Sequence, residues 1–537
     1  DAAGVTAAVQ ECFEHCLSTA SPDTDPVVHA AGAEWGVRAR FAEYVHSSEV
    51  VPLAQAPEGY TGLVRVQGVV TDVPSPLMML SIGQSEGNPV PIRYTTDKAL
   101  NGDQFEGVTP IERYYTLSRA VIAPPQNLSP GFEHVSALAP PSDSLTLLFP
   151  GKLSLPLCQV VTAVGLIDSV VQESDPFADV EMVDGAQEEV LLPALRVLSY
   201  ETSDYYPHTP SEGAPAKAPI ETLSSLFLGA VDGDALVARA LALWTVMGVV
   251  SRVGITPVGQ VPVNLIPDTE VADESQSVYH RVSSVLSSLL PRVTGLALAS
   301  PEFGSSPLYP EQDPSTARLS PSPLLAPSGT CVIVSESGLE EGARLTPVAQ
   351  DNVRCLSILA NQQQLHVRSG GASYPVPVDI STMFVSAAGS RTVFRGMAEV
   401  DALPLYVSPS TSETLADRDQ GAVPMCRAAV GDAKVRYRQG VEVSEDALKI
   451  AGVDVTATLD RVRGLLTKHA MEGVQQQYTL FGHIMSFARA TAALAGEDAL
   501  TTEAWTQSES LVLSLFSRAW DRRDQLQRER EEMEGQD

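Results

Sequence analysis

The sequence predicts an α+β multidomain protein, and three changes of texture along the chain predict it. Between residues 60 and 200, short apolar runs are separated by Gly, Pro, Asp and Asn, the pattern of strands joined by turns. Past residue 220, strand-like runs alternate with longer helical patterns, which indicates an α/β domain. From about residue 440 the periodicity is helical. With 537 residues, 44% of them apolar, the chain is long enough for three or four domains with real cores.

Taken in order, residues 1–50 read as a helical N-terminal region. Trp35, Val37, Phe41, Tyr44 and Val45 recur at helical spacing and predict one amphipathic helix over 27–48, packed on the β-rich residues C-terminal to it. Cys12, His15 and Cys16 fall on about one helical turn, but zinc wants a fourth ligand and no second cluster lies nearby, so chance spacing is the better reading. Residues 51–207 form a β-rich domain of seven runs, from YTGLVRVQGVVTDV to LPALRVLSY, which suggests a barrel. HTPSEGAPAKAP, 208–219, is a linker.

The α/β domain spans 220–430. Two helices open it, the second (234–250) apolar nearly all round; next come a strand at 261–266 and a helix at 275–291 with Val278, Val282, Val285, Leu286, Leu289 and Leu290 on one face. The proline-rich 300–328 reads as a surface excursion without regular structure. Thr330 to Val334 has the small and β-branched residues of a buried parallel strand, and a third strand at 382–385 closes with Ser386. Residues 431–520 are helical, with helices at 456–471, 475–494 and from about Thr502, and 521–537 is a charged tail.

Sixty-six acidic against 35 basic side chains give a formal charge of -31, so the average surface repels phosphate backbones and anionic membranes. Direct nucleic-acid binding is not expected, nor is a membrane span, since no apolar run approaches about 20 residues. Lys434, Arg436 and Arg438 are the best local basic patch, with a solvated strand face as the favoured reading. The stretch 172–189 carries seven carboxylates and no base, and reads as a solvated loop or, more sharply, a surface for a basic partner. Six scattered cysteines suggest reduced thiols of the cytosol or nucleus.

A phosphate loop needs glycines whose N–H groups wrap the phosphates, a lysine, and a Ser or Thr for magnesium. After the strand at 261–266 this chain has PDTEVADE. Pro267 removes a donor, and Asp268, Glu270, Asp273 and Glu274 set four negative charges where a triphosphate would lie. At an effective dielectric of about 20, each carboxylate within ~4 Å of a phosphate charge costs roughly 4 kcal/mol. No nucleotide is expected to bind in the usual way. The one G-x-S-x-G match, Gly83 to Gly87, falls among the short β-type runs rather than at a strand-to-helix elbow, H-E-x-x-H does not occur and the nine histidines are spread singly, so no catalytic residue, metal or cofactor is nominated.

The run from Leu319 to Val367 resembles the Walker B stretch of the minichromosome maintenance (MCM) helicases in its order of parts. Where a working enzyme has an Asp-Glu pair, Val334 and Ser335 stand, and Glu336 comes one residue late. Ser386 replaces a polar sensor asparagine, and Thr479 falls near the second sensor arginine's place. Four stretches, 50–80, 222–269, 318–359 (RLSPSPLLAPSGTCVIVSESGLEEGARLTPVAQDNVRCLSIL) and 481–518 (FGHIMSFARATAALAGEDALTTEAWTQSESLVLSLFSR), carry a resemblance to the MCM-binding protein family. The resemblance implies an MCM-like architecture: an OB-like barrel, a degenerate AAA+-like domain lacking Walker motifs, and a lid-like helical domain. It also implies a nuclear, non-catalytic factor whose partners are MCM helicase subunits, which regulates their assembly, stability or unloading in DNA replication and supports sister-chromatid cohesion. The chain departs from the family at the Walker-B-like site, where some members keep an Asp-Glu pair. Other readings are an acidic scaffold or chaperone for another basic nuclear partner, and a divergent AAA+ ATPase.

Overall fold

The computed structural model describes the chain except residues 1, 20–22, 24–34, 75, 81, 86–87, 92–108, 111–113, 126–127, 152, 154, 172–190, 206–219, 269–276, 314–317, 340–343, 387–400, 409–419, 444, 470–473 and 535–537. The acidic stretch 172–189, the linker 208–219, and Glu270, Asp273 and Glu274 therefore lie outside the described residues. The architecture is α+β.

Five strands of the β-rich part close on themselves: β1 (Val64–Asp72), β2 (Tyr114–Ala123), β3 (Leu145–Pro150), β4 (Val160–Val171) and β5 (Leu191–Ser203). The ring runs β1, β4, β5, β3, β2 and back to β1. Only the β5 to β3 pairing is parallel. Alternation puts Val64, Val66, Leu147, Ala163, Leu195 and Val197 into one shared core. At Gly165 a Cβ would collide with the carbonyl of Arg196, and the β4–β5 register shifts between Val197 and Ser199. A glycine beside a bulge lets the strands approach and bend there, which ring closure needs.

Helix α1 (Ala2–Ser18) lays Val5, Val9, Phe13 and Cys16 against Trp35, Val37, Phe41 and the barrel residues Leu166 and Leu198. The single amphipathic helix expected over 27–48 is not formed in its described part. Trp35 and Gly36 have φ of 57° and 75°, and only two short helical segments come after them, Val37–Arg40 and Ala42–Val45. The left-handed residues interrupt the helix before it can extend.

A second sheet is wholly parallel. Its strands β8 (Val263–Ile266), β9 (Val293–Ala297), β10 (Thr330–Ser335), β13 (Ile380–Val385) and β14 (Leu403–Tyr406) lie in the order β9, β10, β13, β8, β14. Every residue of β10 and β13 is buried, as a sheet covered on both faces requires. Around it pack α2 (Ile220–Leu228), α3 (Ala235–Trp244), α4 (Val278–Leu289) and α5 (Pro347–Gln362). The hairpins β6–β7 (Ser251–Val253, Thr256–Val258) and β11–β12 (Gln364–Ser369, Ala372–Pro377) flank it. The helical remainder is α6 (Val423–Gln439), α7 (Glu445–Ile450), α8 (Val455–Lys468), α9 (Val474–Ala495) and α10 (Thr502–Glu534). Among the described residues no helix is long and apolar enough to cross a membrane.

Three expectations are corrected. The helix expected over 234–250 stops at Trp244, and the Val249 N–H donates to Asp379 Oδ1 at 3.0 Å instead of continuing the helical ladder. The stretch 300–328 is not a bare surface excursion. It holds a helix, Pro301–Ser305, capped by Ser300, and it buries Leu308, Tyr309, Leu324, Leu325 and Ala326 in a core shared with β10 and α5. Lys434, Arg436 and Arg438 sit on helix α6 rather than a strand, and Lys434 is only 4% exposed.

Lys434 and Arg438 face one carboxylate. Asp379, at the entry to β13, pairs with Arg438 and faces Lys434 and Arg252, while its carbonyl accepts the Gly329 N–H at 3.0 Å. Burial pushes its carboxyl up to about 6 and pushes Lys434 and Arg438 down, Arg438 to about 9. Arg438 also stacks on Tyr205 just beyond β5, 3.9 Å from the ring centroid. Asp379→Leu should therefore strand two buried cations and destabilise by about 3–5 kcal/mol, read as a drop in the urea midpoint. A loss below about 1 kcal/mol would contradict this account.

Candidate functional site

In an open parallel sheet, ligands bind beyond the carboxyl ends of the strands, where the connections diverge. Here β8 leads out to the left over β13 and β10, and β13 leads to the right over β8. The residues at those ends are Asp268, Ser386, Glu336 and Tyr406, so the structure brings together most of the described positions singled out from sequence.

Each is engaged by the protein itself. Ser386 Oγ donates to Asn264 Oδ1 at 2.8 Å, and the Ser386 N–H donates to Leu265 O at 3.0 Å. Val334 and Ser335 are the buried end of β10, with Ser335 Oγ accepting from the Ser337 N–H at 3.2 Å. Glu336 is 2% exposed, and its N–H donates to Val385 O at 3.0 Å. Asp268 accepts a hydrogen bond from the Tyr406 hydroxyl and pairs with Arg522 at 3.2 Å. Arg522 Nε donates to the same hydroxyl at 3.0 Å. Burial, followed by the bond to Asp268, pushes the Tyr406 phenol up to about 12.

A second acid stands beside this group. Asp234 caps α3 by accepting from the Leu236 and Val237 N–H groups, both at 3.1 Å, and accepts from the Ser408 N–H at 2.9 Å beyond β14. Arg518 pairs with it at 2.8 Å. Arg518 and Arg522 lie one turn apart on α10 and therefore share a face. Their guanidinium groups reach the sheet end where a phosphate loop would place a lysine, and they bind the chain's own carboxylates. The reading of 521–537 as a charged tail missed Arg522, and Asp234, Tyr406 and Arg518 were not singled out. The available signal was the four-residue Arg spacing, whose targets are 284 and 254 residues away in sequence.

Thr479 does not join this group. It lines a cleft of about 370 Å³ with Gly259, Gln260, Pro262, Asn361 and Asp401. Those residues precede β8, end α5 and precede β14, so the cleft lies at the amino ends of the strands, opposite Asp268. Within its wall, Gln260 Oε1 and Nε2 and His483 Nδ1 have no hydrogen-bond partner. Each such buried atom costs about 1–3 kcal/mol. Among the described residues no group of three or more His, Cys, Asp or Glu is placed to hold a metal.

These contacts make two outcomes testable. Asp234→Ala, which removes a helix cap and leaves Arg518 without its partner, should cost about 2–4 kcal/mol, and Asp268→Ala about 1 kcal/mol, both read by urea unfolding. Burial pushes His483 down to about 4 from 6.5, so the unfolded chain takes up a proton that the folded one refuses. The stability present above pH 6.5 is then lost as pH falls toward 4, by up to about 3 kcal/mol. In His483→Gln the fall over that window should be smaller by this amount.

A family model described as mini-chromosome maintenance replisome factor matches residues 188–433. The chain is similar to the mini-chromosome maintenance complex-binding protein of Arabidopsis thaliana, 26% identical over 201 residues, covering 36% of this chain and 33% of that protein. It is similar to the proteins of the same name from Rattus norvegicus and Homo sapiens, each 25% identical over 203 residues, covering 38% of this chain and 30% of theirs. The aligned part thus spans about a third of the length of these relatives.

Proposed function

Since the chain belongs, through residues 188–433, to the mini-chromosome maintenance replisome factor family, we propose that it is a non-catalytic protein that binds MCM helicase subunits. The observation that carries the reading is the sheet end filled by the chain's own side chains, with Asp268 and Asp234 held by Arg522 and Arg518. A protein of helicase-like shape that hydrolyses nothing can sit against a subunit's neighbour surface and regulate assembly, stability or unloading of the complex during DNA replication. A nuclear location and a role in sister-chromatid cohesion belong to the same proposal.

The architecture supports the finer reading. A closed five-stranded ring fits an OB-like barrel. The parallel sheet between helices, with the Walker-B-like strand β10 beside the sensor-like strand β13, fits a degenerate AAA+-like domain. Helices α7 to α10 fit a lid. The charge of -31 suits a basic protein partner rather than nucleic acid.

Size-exclusion chromatography with light scattering, run with MCM subunits in the presence and absence of Mg-ATP, tests this. Co-elution with at least one subunit, unchanged by ATP, is expected, together with a thermal midpoint of the isolated chain that ATP does not raise. Failure to co-elute with any subunit would leave the acidic scaffold for another basic partner. A midpoint that rises with ATP would instead favour the ATPase reading.

A further inference from the structure

The cleft at the amino ends of the strands has no part in the function proposed above. Its volume, about 370 Å³, falls in the range of small-molecule sites. Val258, Tyr437, Val443, Tyr478 and Met485 supply apolar and aromatic wall. Gln260 and His483 line it at 7% and 8% exposure, and the three atoms Oε1, Nε2 and Nδ1 are both unbonded and closed to water.

Buried polar atoms are nearly always bonded. Another buried glutamine of this chain shows the norm: Gln363 donates to Leu359 O and Ile380 O at 2.9 Å and accepts from the Ile380 N–H at 2.8 Å. Gln260 makes none of these bonds, although it stands at the edge of open space. Turning its carboxamide about the side-chain torsions presents a donor and an acceptor side by side to the cleft. The other polar groups narrow the ligand further. His483 is neutral at pH 7 because burial pushes it down to about 4, and Arg489 is turned to the Tyr437 carbonyl. Asp401 and Arg489 also line the cleft, so Gln260 and His483 are its neutral polar groups with unbonded buried atoms, and the apolar and aromatic wall accepts a ring.

We propose that this cleft binds a small, uncharged, planar amide or lactam of about the size of a pyrimidine base or a pyridine carboxamide. Gln260 pairs with the N–H and C=O of the ligand edge, His483 contributes a further hydrogen bond, and the aromatic and apolar walls receive the ring. The site is separate from the sheet end that holds Asp268.

Saturation-transfer NMR on the full chain, with uracil and nicotinamide as probes and benzoate and toluene as controls, tests the assignment. Saturable binding of uracil or nicotinamide at about 1 mM or tighter is expected, weakened roughly 10-fold in Gln260→Leu and abolished in Met485→Trp, which fills the cleft. Gln260→Leu should fold as well as the natural chain, since it removes two unbonded atoms at similar volume. The proposal is overturned if neither probe binds the natural chain, if both variants bind as it does, or if toluene alone binds, the mark of a dry apolar cavity.

Discussion

The ion pair of Asp379 with Arg438, with Lys434 and Arg252 facing the same carboxylate, is the constraint on which the α/β part depends. Asp379 stands where the β11–β12 hairpin enters β13, and its backbone carbonyl fixes Gly329 at the entry to β10. Its carboxylate holds the chain leaving α3 through Val249 and helix α6 through Arg438. A buried charge is tolerated only when it is paired and hydrogen-bonded, so these segments cannot separate without exposing an unpaired ion. The stacking of Arg438 on Tyr205 extends the same arrangement to the chain leaving the barrel. Arg427 adds a second tie, donating to Gly131 O and Pro130 O at 3.1 Å between β2 and β3.

The two ends of the parallel sheet are built on opposite principles. At the carboxyl ends, acids and arginines are matched, and α10 is tied to the sheet by pairs that belong to the chain itself. At the amino ends, Gln260 and His483 are left unmatched beside open space. Asp268 and Asp234 are paired where the chain's topology would place a ligand, although Glu336 Oε2 there is buried without a hydrogen bond, and at the opposite end neither side-chain polar atom of Gln260 is bonded.

Much of the fold was legible in the sequence because its elements carry local signals. The strand around Cys331, the helix with Val278, Val282, Val285 and Leu289 on one face, and the hairpin at Leu365 and Val367 are specified by period, β-branching and turn residues over a few neighbours. Strand β9, with only Val293, Leu296 and Ala297 as apolar residues, went unrecognised, since a short strand at the sheet edge has little periodicity to read. The helix expected over 27–48 failed at Trp35 and Gly36, whose positive φ values outweigh an apolar spacing that fits a helix. Of the candidate site, Asp268, Val334, Ser335, Glu336 and Ser386 are legible as positions at the ends of strands, whereas Thr479, read only as near the second sensor arginine's place, lines the cleft at the amino ends of the sheet. A helix's place in sequence does not say at what angle it crosses its neighbours.

The sequence by itself determined most of the order of strands and helices, the strongly acidic balance, and the lack of a phosphate-loop pattern, because composition and short-range patterning are properties of neighbouring residues. Only the tertiary structure decided the fate of the charged and polar side chains. Lys434 and Arg438 look like a surface patch until α6 turns them onto Asp379, Arg522 looks like tail until α10 lays it against Asp268, and Gln260 looks like any loop glutamine until α9 closes over it. A side chain's charge is written locally, but its partner, its burial and hence its energy are set by residues tens to hundreds of positions away.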